Sequence, residues 1–300
     1  CTAMAQQDAP VNPELAEGLR YVRGLQDLRL PDMADLVITD LEARFPDARA
    51  HVARLKLEGD LARGLFDKVV AVIKAEKDQN SVETWAMKLA LADAYYAYGK
   101  YPEAKQHYEA FFAAFAKDTP AALQTFYNES AYKYAQMLLY LKDLKGALAA
   151  YERVLQGKLE KHVERQCMAE MADVGLRLAK ETEAVKAREE IYKKVEAVAD
   201  KLLWVQDIWF GKAIVLKAHV AMLRGKPDVA KKLVDDYMAT LQAIHQALVE
   251  QEAETGEPLT RVSPMSECRY LLAAMLQEES RRLMEQPGYD RDAVLSMLIG

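Results

Sequence analysis

The residue types that most often bind metals or act as nucleophiles are sparse and scattered in this chain. Its five histidines form no HExxH motif and no pair four residues apart, and its three cysteines form no CxxC pair. Because a protein metal site needs three or four such ligands at suitable spacing, the sequence predicts no metal site. The histidines are His51, His107, His162, His219 and His245.

Motifs for other kinds of catalysis are also missing from the sequence. It contains no glycine-rich phosphate loop, no GxGxxG after a strand and no GxSxG nucleophile elbow. Its carboxylates lie among lysines at helical spacing, as in residues 183–194, which is typical of a solvated helix face. We therefore predict a non-enzymatic protein without a cofactor. A catalytic site assembled from distant parts of the chain is the alternative that the sequence leaves open.

The elements available to position any site are predicted to be helices. Glycine and proline are scarce, at 13 and 10 of 300 residues, and hydrophobic residues make up 51% of the chain. The abundant Ala, Leu, Glu, Lys, Gln and Met side chains lose little rotamer freedom in a helix. The composition therefore predicts an all-α protein with enough apolar surface for a core.

Charge and hydropathy limit the classes of partner. The net charge is −6, and the 40 basic residues are interleaved with 46 acidic ones rather than clustered on a phosphate-binding face. No apolar run approaches the roughly 20 residues that span a bilayer. We therefore expect no nucleic-acid partner and no transmembrane segment.

The first residues allow three interpretations. Residues 3–5 (Ala-Met-Ala), followed by the polar stretch 6–13, resemble the region around a signal-peptidase cleavage site. Cys1 could instead carry a lipid, or residues 1–5 could be foreign to the natural chain. We expect export to the periplasm or outer envelope of a bacterium, with the cytoplasm as alternative and membrane association only through a lipidated Cys1. Cys167 and Cys268 lie in helical patterns, where buried thiols are expected.

One short phrase recurs along the chain. It consists of a turn residue, an aromatic residue or proline soon after it, then a small residue, and a bulky apolar residue four positions beyond. This order is typical of a turn followed by a helix whose small residue allows a neighbouring helix to approach closely. Its five clear copies begin near Pro31, Gly64, Gly99, Lys142 and Gly225.

The small residue of the phrase defines the repeat length. Ala34, Val69 and Ala104 are 35 residues apart, and Ala147 follows after 43. A weaker match at Ala187 comes 40 residues later, and Ala230 follows after another 43. The first units are therefore regular, whereas the later ones must contain longer helices or loops.

These residues resemble the tetratricopeptide repeat (TPR) family. The resemblance implies a right-handed α-solenoid of stacked helix-turn-helix repeats. On this basis, residues 1–13 are expected to be a flexible segment, residues 14–245 a TPR-like solenoid of about six repeats, and residues 246–300 a helical extension. Within that extension, one long helix is predicted over residues 261–285, and the natural chain is expected to continue beyond Gly300.

The resemblance also implies a function and a surface. In such repeats the first helix of each unit lines a concave groove, which suits an extended peptide or a helix of a partner protein. The clamp that one subtype uses for terminal carboxylates is not expected, because Leu19, Arg54 and Leu89 fall where its first lysine would lie. The predicted groove residues are Arg20, Arg23, Arg54, Glu58, Asp93, Tyr96, Tyr132, Gln136 and His219.

Two further functions remain open at this point. The chain could be a structural subunit that forms a homo-oligomer or part of an envelope assembly through exposed apolar patches. A helical toroid carrying an enzyme site is the other alternative.

Overall fold

A computed structural model describes residues 12–285 except 117 and 158, together with 288, 290–292 and 296. Within these residues the chain forms fourteen α-helices and no strand, which confirms the predicted all-α class. The chain divides into two compact units, Cys1–Leu159 and Glu160–Gly300. The predicted cleavage or lipid site near Cys1 and the last residues of the predicted C-terminal extension, 293–295 and 297–300, lie outside the described residues.

The first unit is a stack of four helix pairs. The odd-numbered helices α1, α3, α5 and α7 pack on one another in succession, and each of α2, α4 and α6 packs on the odd helices before and after it. This is the pairing expected of helix-turn-helix repeats. The helices are α1 Pro13–Asp27, α2 Pro31–Arg44, α3 Arg49–Ala62, α4 Phe66–Ala75, α5 Val82–Ala97, α6 Tyr101–Ala114, α7 Ala121–Tyr140 and α8 Leu144–Val154.

The second unit begins with the same alternation and then departs from it. Helix α10 packs between α9 and α11, and α12 packs on α11, but α13 and α14 both return to contact α11. The predicted boundary at residue 245 falls inside α13, and the helix predicted over 261–285 is α14, preceded by a 3₁₀ turn at Leu259–Val262. The helices are α9 Lys161–Glu181, α10 Val185–Leu202, α11 Ile208–Leu223, α12 Pro227–Asp236, α13 Met238–Thr255 and α14 Pro264–Met284.

Five helix-to-helix turns share one backbone conformation. Each has a residue with positive φ, between 59° and 73°, two positions after the last residue of the first helix. The next amide donates to a carbonyl five residues earlier at 2.8–3.0 Å, which closes the helix end as a Schellman motif. These turns coincide with the five predicted phrases, so the local sequence sets where each second helix starts. The positive-φ residues are Arg29, Gly64, Gly99, Lys142 and Gly225.

The small residues of the phrases lie at the helix contacts, as predicted. Five of the six are buried, with at most 2% of their surface exposed: Ala34, Val69, Ala104, Ala147 and Ala230.

The prediction that Ala187 is the small contact residue of a sixth repeat is wrong. Ala187 is exposed, whereas Tyr192 and Val195 are buried on the same helix. Tyr151 and Val154 follow Ala147 by four and seven residues, and the same spacing places Arg188 at the equivalent position of α10. The buried apolar residues, rather than the nearest alanine, determine which face of α10 packs inward.

Candidate functional site

The predicted groove residues lie mainly on the odd helices of the first unit. Eight of the nine are there, and His219 lies on α11 of the second unit. The eight are Arg20 and Arg23 on α1, Arg54 and Glu58 on α3, Asp93 and Tyr96 on α5, and Tyr132 and Gln136 on α7.

Alternating charges connect four consecutive odd helices. Arg23 Nε donates to Glu58 Oε2 at 2.9 Å, and Glu58 lies 3.8 Å from Arg54. The Arg54 guanidinium bonds to Asp93, whose Oδ2 is 3.0 Å from Lys133 Nζ. We call these five residues the ionic ladder. It joins α1, α3, α5 and α7 through side chains that lie about one repeat apart in the sequence.

Asp93 is the most enclosed member of the ionic ladder. Its side chain is 10% exposed, and the Tyr108 hydroxyl donates to its Oδ1 at 2.6 Å. Burial alone would raise the pKa of Asp93, but the charges of Lys133 and Arg54 and the Tyr108 hydrogen bond outweigh burial and lower it. Asp93 is therefore ionised near neutral pH.

The cations around Asp93 stay charged because neighbouring carboxylates stabilise their protonated forms. Burial would lower the pKa of Lys133, but the carboxylates of Asp93 and Glu129 raise it above its usual value. The pKa of Arg54 is likewise raised, because the nearby carboxylates outweigh the effect of burial. Arg54, Asp93 and Lys133 are thus all charged near neutral pH.

An aromatic contact covers the ionic ladder at α5. Phe126 on α7 meets His51 on α3 with ring centroids 4.7 Å apart, and the Arg54 guanidinium lies 5.2 Å from the same ring. Helix α5 packs against both α3 and α7 in the stack, and Phe126 is itself only 5% exposed. The layer is therefore closed at this point by its own side chains. Arg54 and Asp93 hold repeats together and offer little surface to a partner.

A second chain of hydrogen bonds joins α5 to α7. The Tyr96 hydroxyl donates to Gln136 Oε1 at 3.0 Å, and Gln136 Nε2 donates to the Tyr132 hydroxyl at 2.8 Å. Tyr132 is only 5% exposed, so its ring belongs to the core. Its hydroxyl accepts the hydrogen bond that orients Gln136. Tyr96 is partly exposed and lies 6.0 Å from the ring of Tyr101 on α6.

The two remaining predicted residues lie away from this network. Arg20 is exposed and lines an open groove of about 750 Å³ between α1 and α2. His219 is partly buried, and burial together with Lys180 lowers its pKa, so it is largely uncharged at neutral pH. The structure therefore joins seven of the nine residues in two networks of side-chain contacts between the odd helices.

Sequence reasoning missed several members of the site. Lys133 completes the ionic ladder, Phe126 covers it, and Tyr101 and Tyr140 extend the row of aromatic residues beyond Tyr96. Opposite charges one repeat apart would have been the available signal for Lys133, because Arg54 precedes Asp93 by 39 residues and Lys133 follows it by 40. No comparable spacing rule identifies a ring that reaches across an intervening helix.

The described residues contain no cluster of three or more potential metal ligands. Cys167 and Cys268 are buried free thiols, and burial raises the pKa of both, to about 12 and about 11 respectively. Within the same part of the chain, no helix is both long and apolar enough to cross a bilayer.

Comparison with known proteins finds similarity among solved structures but not among family models or curated proteins. No protein-family model matches the chain. No curated protein matches it significantly. Among solved structures, it is similar to the TPR-like repeats of a candidate kinesin light chain from Podosopora anserina, with 16% identity and a TM-score of 0.44 over 76% of this chain and 94% of that one. A single-substitution variant of that protein gives 16% identity and a TM-score of 0.46 over 78% and 97%.

Proposed function

We propose that the protein is a non-enzymatic scaffold that binds a protein or peptide through the odd-helix face of its first unit. The observation that carries the proposal is the network of charged, amide and aromatic side chains that joins α1, α3, α5 and α7. Such a face combines tyrosine and arginine side chains, the types that dominate binding energy in protein interfaces.

The arrangement favours a rigid rather than an adaptable surface. The ionic ladder ties neighbouring helices together, and the hydrogen bond from Tyr96 to Gln136 fixes the orientation of an accessible ring. Holding contact residues in place before binding lowers the conformational entropy that association must overcome. The enclosed residues Arg54, Asp93 and Tyr132 then position the surface, while Arg23, Glu58 and Tyr96 are available to touch a partner.

The test is affinity capture with the full chain, comparing wild type with Tyr96→Ala. A matched control is Tyr270→Ala, because Tyr270 is 73% exposed on α14 in the second unit. We expect a specific partner to be lost with Tyr96→Ala and retained with Tyr270→Ala, with both variants folded as judged by circular dichroism. A partner retained by Tyr96→Ala and lost with Tyr270→Ala would place the interface on the second unit and overturn the proposal.

A second candidate is a structural subunit that self-associates through the α1–α2 pair. Three large apolar side chains there are well exposed: Tyr21 at 55%, Leu28 at 71% and Leu36 at 73%. Apolar exposure on this scale is typical of an interface. Light scattering that finds a monomer at all concentrations would exclude this candidate, whereas a dimer abolished by Leu28→Glu with Leu36→Glu would support it.

A further inference from the structure

The open groove between α1 and α2 carries an apolar stripe that the proposed function does not use. Tyr21 is 55% exposed and Leu28 is 71% exposed, and both line the groove together with Leu25. Tyr21 and Leu28 are seven residues apart, so they lie on one side of α1, about two turns or about 10 Å apart along its axis. We call Tyr21, Leu25 and Leu28 the end stripe.

The other helix pairs show what covers the position of Tyr21. Tyr21 lies eight residues before the positive-φ residue Arg29, and the residue with this spacing in each of the other four turns packs towards the preceding second helix. Leu91 is buried in one cluster with α4. The other three bond to a carboxylate on that helix: Lys56 with Glu42 of α2 at 2.5 Å, Tyr134 with Glu109 of α6 at 3.0 Å, and Lys217 with Asp200 of α10 at 2.7 Å.

The position of Leu28 follows the same rule in two other turns. The residue directly before the positive-φ residue is Leu28 in the first turn, Tyr98 in the third and Arg224 in the last. The ring of Tyr98 meets Phe66 on α4 with centroids 5.2 Å apart, and Arg224 pairs with Glu189 on α10 at 2.6 Å. Both therefore contact the preceding second helix. Among the described elements no helix precedes α1, so none covers the end stripe in this way.

We infer that the end stripe binds an amphipathic helix of another protein, seated where the second helix of a preceding repeat would lie. This helix carries a carboxylate that accepts from the Tyr21 hydroxyl, as Glu109 accepts from Tyr134. Its apolar side chains pack on Tyr21 and Leu28, which requires contacts along about two turns. The inference goes beyond the proposed function, because the end stripe includes no member of the ionic ladder and not Tyr96.

The charges on the rim of the groove agree with an amphipathic helix. Arg44 bonds to both Glu14 and Asp40, whereas Glu17 and Arg20 form no ion pair with any described residue. The rim therefore offers one unpaired charge of each sign, which suits a helix with both acidic and basic residues on its flanks. The three carboxylates that play this part within the chain are already paired, so a second copy has none of them to offer. We therefore assign the groove to a different protein rather than to self-association.

The probe for the test is a synthetic peptide of residues 101–114, because α6 covers Tyr134, the tyrosine equivalent to Tyr21. A helix of 14 residues is marginal alone, so a lactam bridge between positions 106 and 110, which are exposed on α6, holds it helical. Calorimetry measures its affinity for the full chain. We expect wild type and Tyr270→Ala to bind alike, and Tyr21→Ala, checked for folding by circular dichroism, to bind at least about tenfold more weakly.

A double-mutant cycle tests the carboxylate. Tyr21→Phe in the protein removes the hydroxyl and keeps the ring, and Glu109→Ala in the peptide removes the acceptor. Tyr21→Phe should weaken binding of the original peptide about threefold to tenfold, because one charge-assisted hydrogen bond is lost. It should weaken binding of the Glu109→Ala peptide by less than about twofold, because no bond remains to be lost.

Three results would overturn the inference: no binding of the peptide, equal affinity of wild type and Tyr21→Ala, or additive effects in the cycle. A dimer of the full chain that Tyr21→Ala abolishes and the peptide leaves intact would also overturn it and assign the groove to a second copy. Tyr96→Ala should bind the peptide like wild type, since Tyr96 lies on α5. If the peptide fails while Tyr96→Ala still loses a captured protein, the proposed scaffold function stands and only the end-stripe ligand is wrong.

Discussion

Asp93 is the residue at which the cations of two neighbouring repeats converge. Arg54 on α3 and Lys133 on α7 both pair with it, and Tyr108 on α6 donates to its other oxygen. Removing one member of a poorly solvated charge network leaves the opposite charges without compensation, which costs more than the attraction itself contributes. The cost of losing Asp93 should therefore exceed that of losing an exposed carboxylate.

We predict that Asp93→Asn lowers the free energy of unfolding by about 3 kcal/mol, because Arg54 and Lys133 then lack their shared anion. Urea unfolding followed by circular dichroism measures the change. The control Asp235→Asn removes an exposed carboxylate from α12 and should stay within about 0.5 kcal/mol of wild type. Equal effects of the two substitutions would show that the ionic ladder contributes nothing to stability.

Asp93 should also make the free energy of unfolding depend on pH. The pKa of Asp93 is lowered from 3.8 on folding, so its contribution is fully present above pH 3.8 and is lost as the pH falls through the lower value in the folded state. The stability difference between wild type and Asp93→Asn should therefore be constant near neutral pH and shrink below about pH 4. Urea midpoints measured across this range test it, and a difference unchanged in strong acid would contradict it.

At the scale of elements, the second helix of most pairs carries a buried small residue at one position. Ala34, Ala104, Ala147 and Ala230 are buried there, whereas α10 carries Arg188 at the equivalent place. Arginine cannot be enclosed between two helix backbones without desolvating its charge, so this helix pair must pack differently from the others. The change of register coincides with the longer repeats that follow residue 115.

We predict that Ala147→Leu destabilises the protein by about 1–3 kcal/mol, because extra atoms in a packed contact force neighbouring helices apart. Ala187→Leu makes the same chemical change on an exposed face of α10 and should alter stability by less than about 0.5 kcal/mol. Thermal unfolding of both variants measures the difference. A large effect of Ala187→Leu would restore Ala187 as the contact residue and contradict the register described above.

At the scale of the whole molecule, charge limits what the protein can bind. The net charge of −6 is distributed along the chain, and many arginines and lysines of the first unit are already paired with carboxylates. Binding to nucleic acid requires unpaired cations that displace counterions from phosphates. The surface is therefore better suited to a neutral or mixed-charge protein segment.

We predict that the protein does not shift a short DNA duplex or single-stranded RNA in a gel at low salt, where electrostatic binding is strongest. Arg54→Ala should behave in the same way, since Arg54 is engaged by Asp93 in the wild type. Salt-dependent binding of either nucleic acid would contradict this prediction.

The sequence alone determined the helices, the five turns and five of the six small contact residues. These features are encoded locally: a positive-φ residue and the apolar spacing of one helix both lie within about a single repeat, so no distant contact is needed to recognise them. Reliance on local spacing also explains the error at Ala187. The nearest alanine suggested one alignment of α10 with the other second helices, whereas the buried Tyr192 and Val195 require an alignment one residue later.

Only the tertiary structure decided which predicted groove residues are accessible and which are enclosed. Asp93 is enclosed by Lys133 from α7 and Tyr108 from α6. Tyr132 is enclosed because its ring packs against Tyr151 on α8. The partners of the ionic ladder are 35, 39 and 40 residues apart because repeat length varies along the first unit. Side-chain neighbours across such distances depend on how far each helix extends and how it packs, and these are properties of the assembled stack rather than of any single repeat.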